Sequence, residues 1–356
     1  MRRWRVVQWA TGGAGSLALR ALVERPEFEL VGVLVHAEKK QGLDAGELAG
    51  LERRTGIRAT RDAEALLALE PDCVSYMAHG ETRARACLDD FCQILDSGAN
   101  VVTTSVPGLV YAPGTDARSR ERLERACQAG GSSLFCSGIE PGFAGDLLPL
   151  TLATLSQEIE SIRTQELFSY ADYPVATTLF EVFGFGKPLG FKPPLAQPGV
   201  IRSAWGPPIQ MLAAGLGVEL DAIRETFEVA PAERDLEVVA GRIEAGTIGA
   251  LRFEAIGVVG GRDRIAIEHV NRMHASVAPE WPRAARDGVY RVQIEGRPRL
   301  CCELAVGNPE DFSLQGMLAT AMRAVNAIPY VCEAAPGLVS ALDLPLTAPQ
   351  GALQRA

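Results

Sequence analysis

Histidine is scarce and no two cysteines form a CxxC pair, so the chain lacks the ligand spacing of a structural zinc site, and no metal is expected. The histidines are His36, His79, His269 and His274, and the cysteines (Cys73, Cys87, Cys92, Cys127, Cys136, Cys301, Cys302 and Cys332) are scattered. Most lie in apolar runs such as Leu134-Phe135-Cys136, where a free thiol behaves as a small hydrophobe. Reduced cysteines of this kind point to a cytoplasmic protein. No apolar run approaches the roughly 20 residues needed to span a bilayer. The opening Met1-Arg2-Arg3-Trp4-Arg5 runs straight into a strand, with no signal-peptide core. A membrane is therefore not an expected partner. Nucleic acid is excluded on charge: 35 Lys+Arg against 44 Asp+Glu gives a net charge of −9, with no basic face to neutralise phosphates.

What the chain does have is alternation. Its 356 residues, 47% of them hydrophobic, suffice for two domains. Residues 5–10 (RVVQWA) read as a strand and 16–24 as a helix ended by Pro26. Strands at 30–36, 72–78, 100–105 and 132–137 then alternate with helices at 63–69, 81–97 and 116–129. Strands that are apolar throughout and alternate with helices imply a parallel sheet covered on both faces, and right-handed crossovers make it doubly wound. After Gly138 the pattern changes. Residues 168–205, rich in Gly, Pro and aromatics, read as an ordered loop region lining a pocket. Residues 248–259, 263–270, 288–295 and 299–306 read as strands, the last three spaced as in an antiparallel sheet. Helical periodicity returns over 314–332. The expected fold class is α/β: an N-terminal doubly wound Rossmann domain over 1–146, and an α+β substrate and dimerisation domain with a mostly antiparallel sheet over 147–313. A C-terminal helix within 314–356 is expected to pack back on the first domain.

Between the first strand and helix stands Ala10-Thr11-Gly12-Gly13-Ala14-Gly15, the dinucleotide fingerprint with alanine at its first glycine. Gly12 lets the backbone approach a pyrophosphate, and Gly15 lets helix pack tightly on strand. The helix N-terminus offers free N–H groups to the phosphates. Cofactor choice is set at the end of the second strand, where an acidic residue would bind the ribose hydroxyls of NAD. This chain has His36-Ala37-Glu38-Lys39-Lys40. His36, Lys39 and Lys40 favour the 2′-phosphate of NADP, while Glu38 keeps NAD open.

Several stretches resemble the 2,4-diaminopentanoate dehydrogenase and native amine dehydrogenase group, within the dihydrodipicolinate reductase-like superfamily. They are WATGGAG (9–15), VGVLVHAEKKQGLDAGEL (31–48), GANVVTTS (98–105), GIEPGFAGDLLPL (138–150), EHVNRM (268–273), WPRAARDGVYRVQIEGRP (281–298) and GMLATAMRAVNAIPYVCEAAPGL (316–338). The resemblance implies a homodimeric two-domain reductase that passes a hydride from nicotinamide to a C=O or C=N carbon in the cleft between domains. It implies that Pro141, Gly142 and Phe143 lie beside the nicotinamide and that His79 and Gly80 follow the strand bordering the cofactor ribose. Thr104, in GANVVTTS, is taken with them as a cofactor contact. It further implies an acidic residue after the strand at 101–105 to hold ammonia or the amine. This chain has Val106-Pro107-Gly108 there, and carries Glu140 where related chains commonly have a neutral residue such as Asn. Glu140 either replaces the missing carboxylate or is a nearby charge without a catalytic part.

Hydride transfer belongs to the cofactor, and the protein supplies orientation, electrostatics and a proton. Candidate donors are Glu140, Tyr173 and His269, with Tyr170, His274 and Asp146 also in range of the chemistry. Asp146 also suits a helix N-cap. Val106, Pro107, Tyr170, Phe185 and Trp205 are the expected pocket residues, and their apolar character points to a fairly apolar small-molecule substrate. No compact cationic run suits a dicarboxylate, which disfavours a dipicolinate-type substrate. Three functions remain open: a carbonyl or imine reductase, an amine dehydrogenase performing reductive amination, and a non-catalytic NADP(H)-binding sensor.

Overall fold

The computed structural model describes residues 2–80, 83–308 and 311–353. Position 81, where a helix is expected to begin, and positions 354–356 of the expected C-terminal segment lie outside the described residues. The chain divides into two compact units, Met1–Gly142 with Met317–Ala356, and Phe143–Gly316.

The first unit opens with β1 (Trp4–Trp9), α1 (Gly13–Glu24) and β2 (Phe28–Leu34), followed by two short helices, α2 (Ala45–Leu48) and α3 (Ala63–Leu67). It continues through β3 (Cys73–Tyr76), α4 (Ala84–Asp96), β4 (Asn100–Thr103), α5 (Ala117–Gly130) and β5 (Ser133–Cys136). The strands pair in parallel in the order β5-β4-β3-β1-β2. Beyond β2 a parallel bridge joins Leu34 to Thr60, the trace of one more strand. Side chains of β3 and β5 are buried at every position, as a sheet covered on both faces requires. Capping fixes the helix starts: Asp62 accepts from the Ala65 N–H at 2.9 Å and Asp116 from the Ser119 N–H at 2.9 Å.

The second unit carries α6 (Leu147–Ala153), β6 (Glu158–Ser169), α7 (Val200–Leu216) and β7 (Ala222–Pro231). The small hairpin β8 (Leu236–Val238) and β9 (Gly241–Ile243) follows, then β10 (Ile248–Val259), β11 (Arg262–Arg272), β12 (Val289–Arg297) and β13 (Leu300–Ala305). Its six-stranded sheet runs β13-β12-β6-β11-β10-β7. Every pair is antiparallel except β6 with β11. One face packs beneath α7, where Ile209, Leu212, Leu251, Phe253, Ile265 and Ile267 close a core. The opposite face carries a lattice of charges centred on Glu268 of β11, which is 1% exposed. Arg163 reaches it at 2.8 Å, Arg252 at 2.7 Å and Gln165 at 2.8 Å.

α8 (Phe312–Glu333) then leads into β14 (Gly337–Val339), which pairs in parallel with β5 as the sixth strand of the first sheet. In the first unit, α1 and α8 supply the core on one sheet face, through Leu19, Leu22, Val325 and Ile328. On the other face α4 and α5 supply it, through Phe91, Leu95, Leu123 and Ala126. That is the doubly wound arrangement the alternation predicts.

Three departures from the sequence reading have physical causes. The C-terminal segment is a helix followed by a strand, because Gly337-Leu338-Val339 finds an open sheet edge beside β5. The region expected to be loop over 168–205 holds a π-helical turn at Thr177–Phe183 and the start of α7. α7 continues through Pro207 and Pro208, which normally break a helix by removing N–H donors. Burial compensates: Ile209, Met211 and Leu212 are each 0% exposed. Among the described residues, no helix is long and apolar enough to cross a membrane. No group of three or more His, Cys, Asp or Glu side chains among them is placed to hold a metal ion.

Candidate active site

In an open parallel sheet, ligands bind beyond the carboxyl ends of the strands, where the strand order reverses. That reversal lies between β1 and β3 in the first unit. The candidate cofactor residues of this unit gather on the same edge. Thr11 to Gly15 follow β1, His36 to Lys40 follow β2, His79 and Gly80 follow β3, Thr104 follows β4, and 138–142 follows β5.

The loop after β1 has the shape a dinucleotide needs. Gly12 is the N-cap of α1 and no side chain caps that end, which leaves first-turn N–H groups for an anion. A Cβ at Gly12 would meet nothing within 4 Å, so the space above it is open. A Cβ at Gly15 would stand 2.4 Å from the Ala10 carbonyl oxygen, so only glycine lets α1 approach β1 this closely. Gly80 is under the same constraint, its Cβ falling 1.4 Å from the Ser105 carbonyl oxygen. Ala10, at the fingerprint's first glycine, has φ +71°, a conformation that costs an L-residue about 1–2 kcal/mol. Ala10→Gly is therefore expected to preserve cofactor binding and to leave stability unchanged or raise it by up to about 1 kcal/mol, after the entropy glycine adds to the unfolded chain. Chemical denaturation checks this.

The turn after β2 is basic, and its lysines differ. Lys40 donates to the Thr11 carbonyl at 2.7 Å and to its hydroxyl at 3.0 Å, fastening this turn to the phosphate loop. Lys39 is exposed. His36 is held below its ordinary pKa first by desolvation, then by the positive charges of Arg83 and Arg61, with Asp90 opposing. Those two arginines join the basic group from distant parts of the sequence. Tyr76 donates to Asp90 at 2.6 Å, stacks on Trp9 and meets Phe91 edge-on. The loop after β5 closes on itself by a bridge between Gly138 and Gly142, and α8 supports it through Thr320, which accepts from the Ile139 N–H at 3.3 Å. Glu140 sits half-buried on this loop.

In the second unit, Tyr170, Tyr173, Phe185, Trp205 and His269 belong to one continuous contact chain. Tyr170 stacks on Tyr173 at 5.3 Å and on Phe183 at 5.9 Å, and Phe183 meets Phe185 edge-on. His269 lies flat on Phe253 at 4.5 Å and takes the edge of Trp205 at 4.9 Å. The two groups meet at Glu166, a residue the sequence reading missed. Its Oε1 accepts from the Tyr170 hydroxyl at 2.7 Å and from the Asn271 amide at 2.9 Å, with His269 Nδ1 at 3.3 Å. Glu166 and His269 are 6% and 4% exposed, and Asn271 is 0% exposed. Burial opposes ionisation of Glu166 most strongly. The His269 imidazole and the hydrogen bonds from His269, Tyr170 and Asn271 together still hold its carboxyl below the usual range. Burial, followed by the Glu166 charge, pushes the Tyr170 phenol far up, so it stays a donor. A signal for Glu166 did exist: the inward register of β6 reads Ile162, Thr164, Glu166, Phe168, and that of β11 reads Ile265, Ile267, His269, Asn271. Polar residues at inward positions of two paired strands mark a site.

Other candidates fall elsewhere. Phe185 is 0% exposed, so it backs Phe183 from within the core and presents no surface to a ligand. His274 lies on an exposed loop, with Nδ1 2.8 Å from the Ser276 hydroxyl and Nε2 3.1 Å from Arg234. Asp146 is wholly buried and caps α6 through the Leu147 N–H. Val106 and Pro107 are half-buried beyond β4, in the first unit.

Comparison with known proteins adds the remaining facts. Residues 143–355 match the family model of the 2,4-diaminopentanoate dehydrogenase C-terminal domain. The chain is 41% identical to an amine dehydrogenase of Streptomyces virginiae, over 98% of each chain. It is 24% identical to 2,4-diaminopentanoate dehydrogenase of Acetoanaerobium sticklandii, over 97% of this chain and 94% of that one. In structure it is similar to an amine dehydrogenase from Mycobacterium smegmatis, with a TM-score of 0.78 and 19% identity across 97% of both chains.

Proposed function

The chain belongs to the 2,4-diaminopentanoate dehydrogenase family and is an NAD(P)-dependent dehydrogenase, and from that premise we propose that it is an amine dehydrogenase. Its reaction is the reductive amination of a fairly apolar ketone, reversible in the oxidative direction. The observation that carries this reading is the 41% identity to the Streptomyces virginiae amine dehydrogenase over essentially the whole chain. The uncapped α1 and the open space above Gly12 fit the pyrophosphate of a dinucleotide. When bound, the nicotinamide supplies the hydride.

The residues then divide the work. Thr11 to Gly15 hold the diphosphate through backbone N–H groups, and Lys40 keeps that loop in register with the turn after β2. His36 and Lys39, with Arg61 and Arg83, select the 2′-phosphate, so NADP(H) is the preferred cofactor. Tyr170, Tyr173, Phe183 and Trp205 exclude water and seat the apolar part of the substrate, while the buried Glu166–His269 pair handles protons. The subunit works in the cytoplasm as a homodimer.

The test is to follow NADPH consumption with cyclic and aliphatic ketones, with and without ammonium. Turnover that depends on ammonium is expected. Turnover of ketones at an undiminished rate without ammonium would make the protein a carbonyl reductase instead. On the cofactor side, Lys39→Ala is expected to weaken NADPH binding about tenfold while leaving NADH unchanged, since it removes one charge-assisted contact. Equal losses for both cofactors in calorimetry would contradict the 2′-phosphate assignment.

A further inference from the structure

We propose that Gln8 of β1 is a positioning residue for the cofactor: its side-chain amide holds the Ala10 carbonyl so that the next peptide N–H, that of Thr11, is presented to the diphosphate. Gln8 in this role deepens the cofactor part of the proposed function and rests on that part alone, independently of the amine chemistry. Gln8 is 0% exposed, and its register neighbours Val33 and Ser75 are wholly buried as well. A primary amide buried inside a parallel sheet is costly unless its polar atoms are used. Here Nε2 donates to the Ala10 carbonyl at 2.8 Å, with the Trp9 carbonyl at 3.5 Å. Both facing atoms are acceptors, so the near end of the amide is its nitrogen. The Trp9 carbonyl already accepts from the Met77 N–H at 2.9 Å. For the Ala10 carbonyl, Gln8 is the one donor among the described residues.

That carbonyl sets the course of the phosphate loop. Ala10 has φ +71°, a conformation that an L-residue keeps only with support from its surroundings. Its N–H is fixed to the Leu34 carbonyl at 2.9 Å. Its own carbonyl is held by Gln8 and hemmed in by Gly15, whose Cβ, were there one, would come within 2.4 Å. In a planar trans peptide the C=O and the following N–H point in opposite directions. Holding the Ala10 carbonyl toward Gln8 therefore turns the Thr11 N–H away from Gln8, and that N–H makes no hydrogen bond among the described residues. It adjoins Gly12, where the space is open, and the uncapped first turn of α1. Lys40 pins the next carbonyl, that of Thr11, at 2.7 Å. Consecutive carbonyls at the strand end are thus each held by a side chain from outside the loop. Without the Gln8 donor the Ala10 carbonyl is left buried and unpaired, which favours turning the peptide over and takes the Thr11 N–H out of the anion site.

The test is calorimetric titration of Gln8→Met with NADPH and NADH. Methionine keeps the unbranched shape of glutamine and removes the donor. Affinity is expected to fall about tenfold, and by the same factor for both cofactors, because the diphosphate is common to them. In an Ala10→Gly background the same substitution is expected to cost no more than about threefold, since glycine takes a positive φ unaided. A merely structural glutamine would lower the melting temperature without that coupling. Thermal melting verifies the fold of each variant, and if Gln8→Met fails to fold, Gln8→Leu carries the same comparison. Affinity within about twofold of wild type in a folded Gln8 variant, or an undiminished loss in the glycine background, would overturn the proposal. So would a loss confined to NADPH, which would place the effect at the 2′-phosphate. Wild type that binds neither cofactor would overturn the cofactor reading and this proposal with it. The expected losses would support Gln8 as a positioning residue even if ammonium-dependent turnover of ketones were never found, so the two readings fail separately.

Discussion

Gly15→Ala is expected to weaken cofactor binding by about 100-fold or more while most of the fold survives. The added methyl would lie 2.4 Å from the Ala10 carbonyl oxygen, 3.0 Å from its carbon and 3.3 Å from Met77 Cβ. The first two are backbone atoms of the loop itself, so relief requires α1 to move away from the end of β1. That displaces the N–H groups that hold the diphosphate, and losing two such contacts to a charged group costs about 3 kcal/mol, or a factor above 100. Gly12→Ala is the informative companion, because its methyl meets nothing within 4 Å of the chain. Its stability is expected to match wild type, so any loss of affinity there reports contact with the ligand alone. Calorimetric titration with NADPH, alongside thermal melts, separates the two cases.

The second large effect concerns stability. Glu268→Ala is expected to cost about 3 kcal/mol, because it removes the acceptor shared by Arg163, Arg252 and Gln165 at a position 1% exposed. The loss stays at the low end of the range for broken buried pairs, since the Arg163 and Arg252 side chains are 38% and 25% exposed and regain some water. For a unit of this size, such a loss corresponds to a fall in Tm of roughly 6–12 °C. Cofactor affinity should stay unchanged, because Glu268 belongs to the second unit and the phosphate loop to the first. A melting temperature within about 2 °C of wild type would show that the lattice contributes little.

The first unit was readable because its central strands are largely buried, β3 and β5 at every position, so apolar runs and helical periodicity alternate plainly along the chain. Gly12 and Gly15 were readable from spacing alone, since the fingerprint is a local motif and the Ala10 carbonyl that demands Gly15 lies only five residues before it. The second unit was harder. β6 opens on the exposed Glu158 and Glu160 and sends Arg163 into the ionic lattice on its other face, and this masks the inward register that contains Glu166. α7 was hidden by Pro207-Pro208, whose local penalty is overridden by burial against β10 and β11. Arg61 and Arg83 joined the basic turn through tertiary proximity, which spacing does not encode. Tyr170, Trp205 and His269 were individually visible, but the carboxylate joining them required the strand pairing of β6 with β11.

Hydride transfer to a carbon that bears nitrogen leaves an isotopic label in the product. The protein would be supplied with NADPH carrying deuterium at both positions of the nicotinamide C4, a cyclic ketone and ammonium, and the product analysed by mass spectrometry. The predicted result is a primary amine one mass unit heavier than the unlabelled standard, with none formed when ammonium is omitted. A deuterated alcohol as the main product, or NADPH bound but unconsumed across the ketone panel, would contradict it.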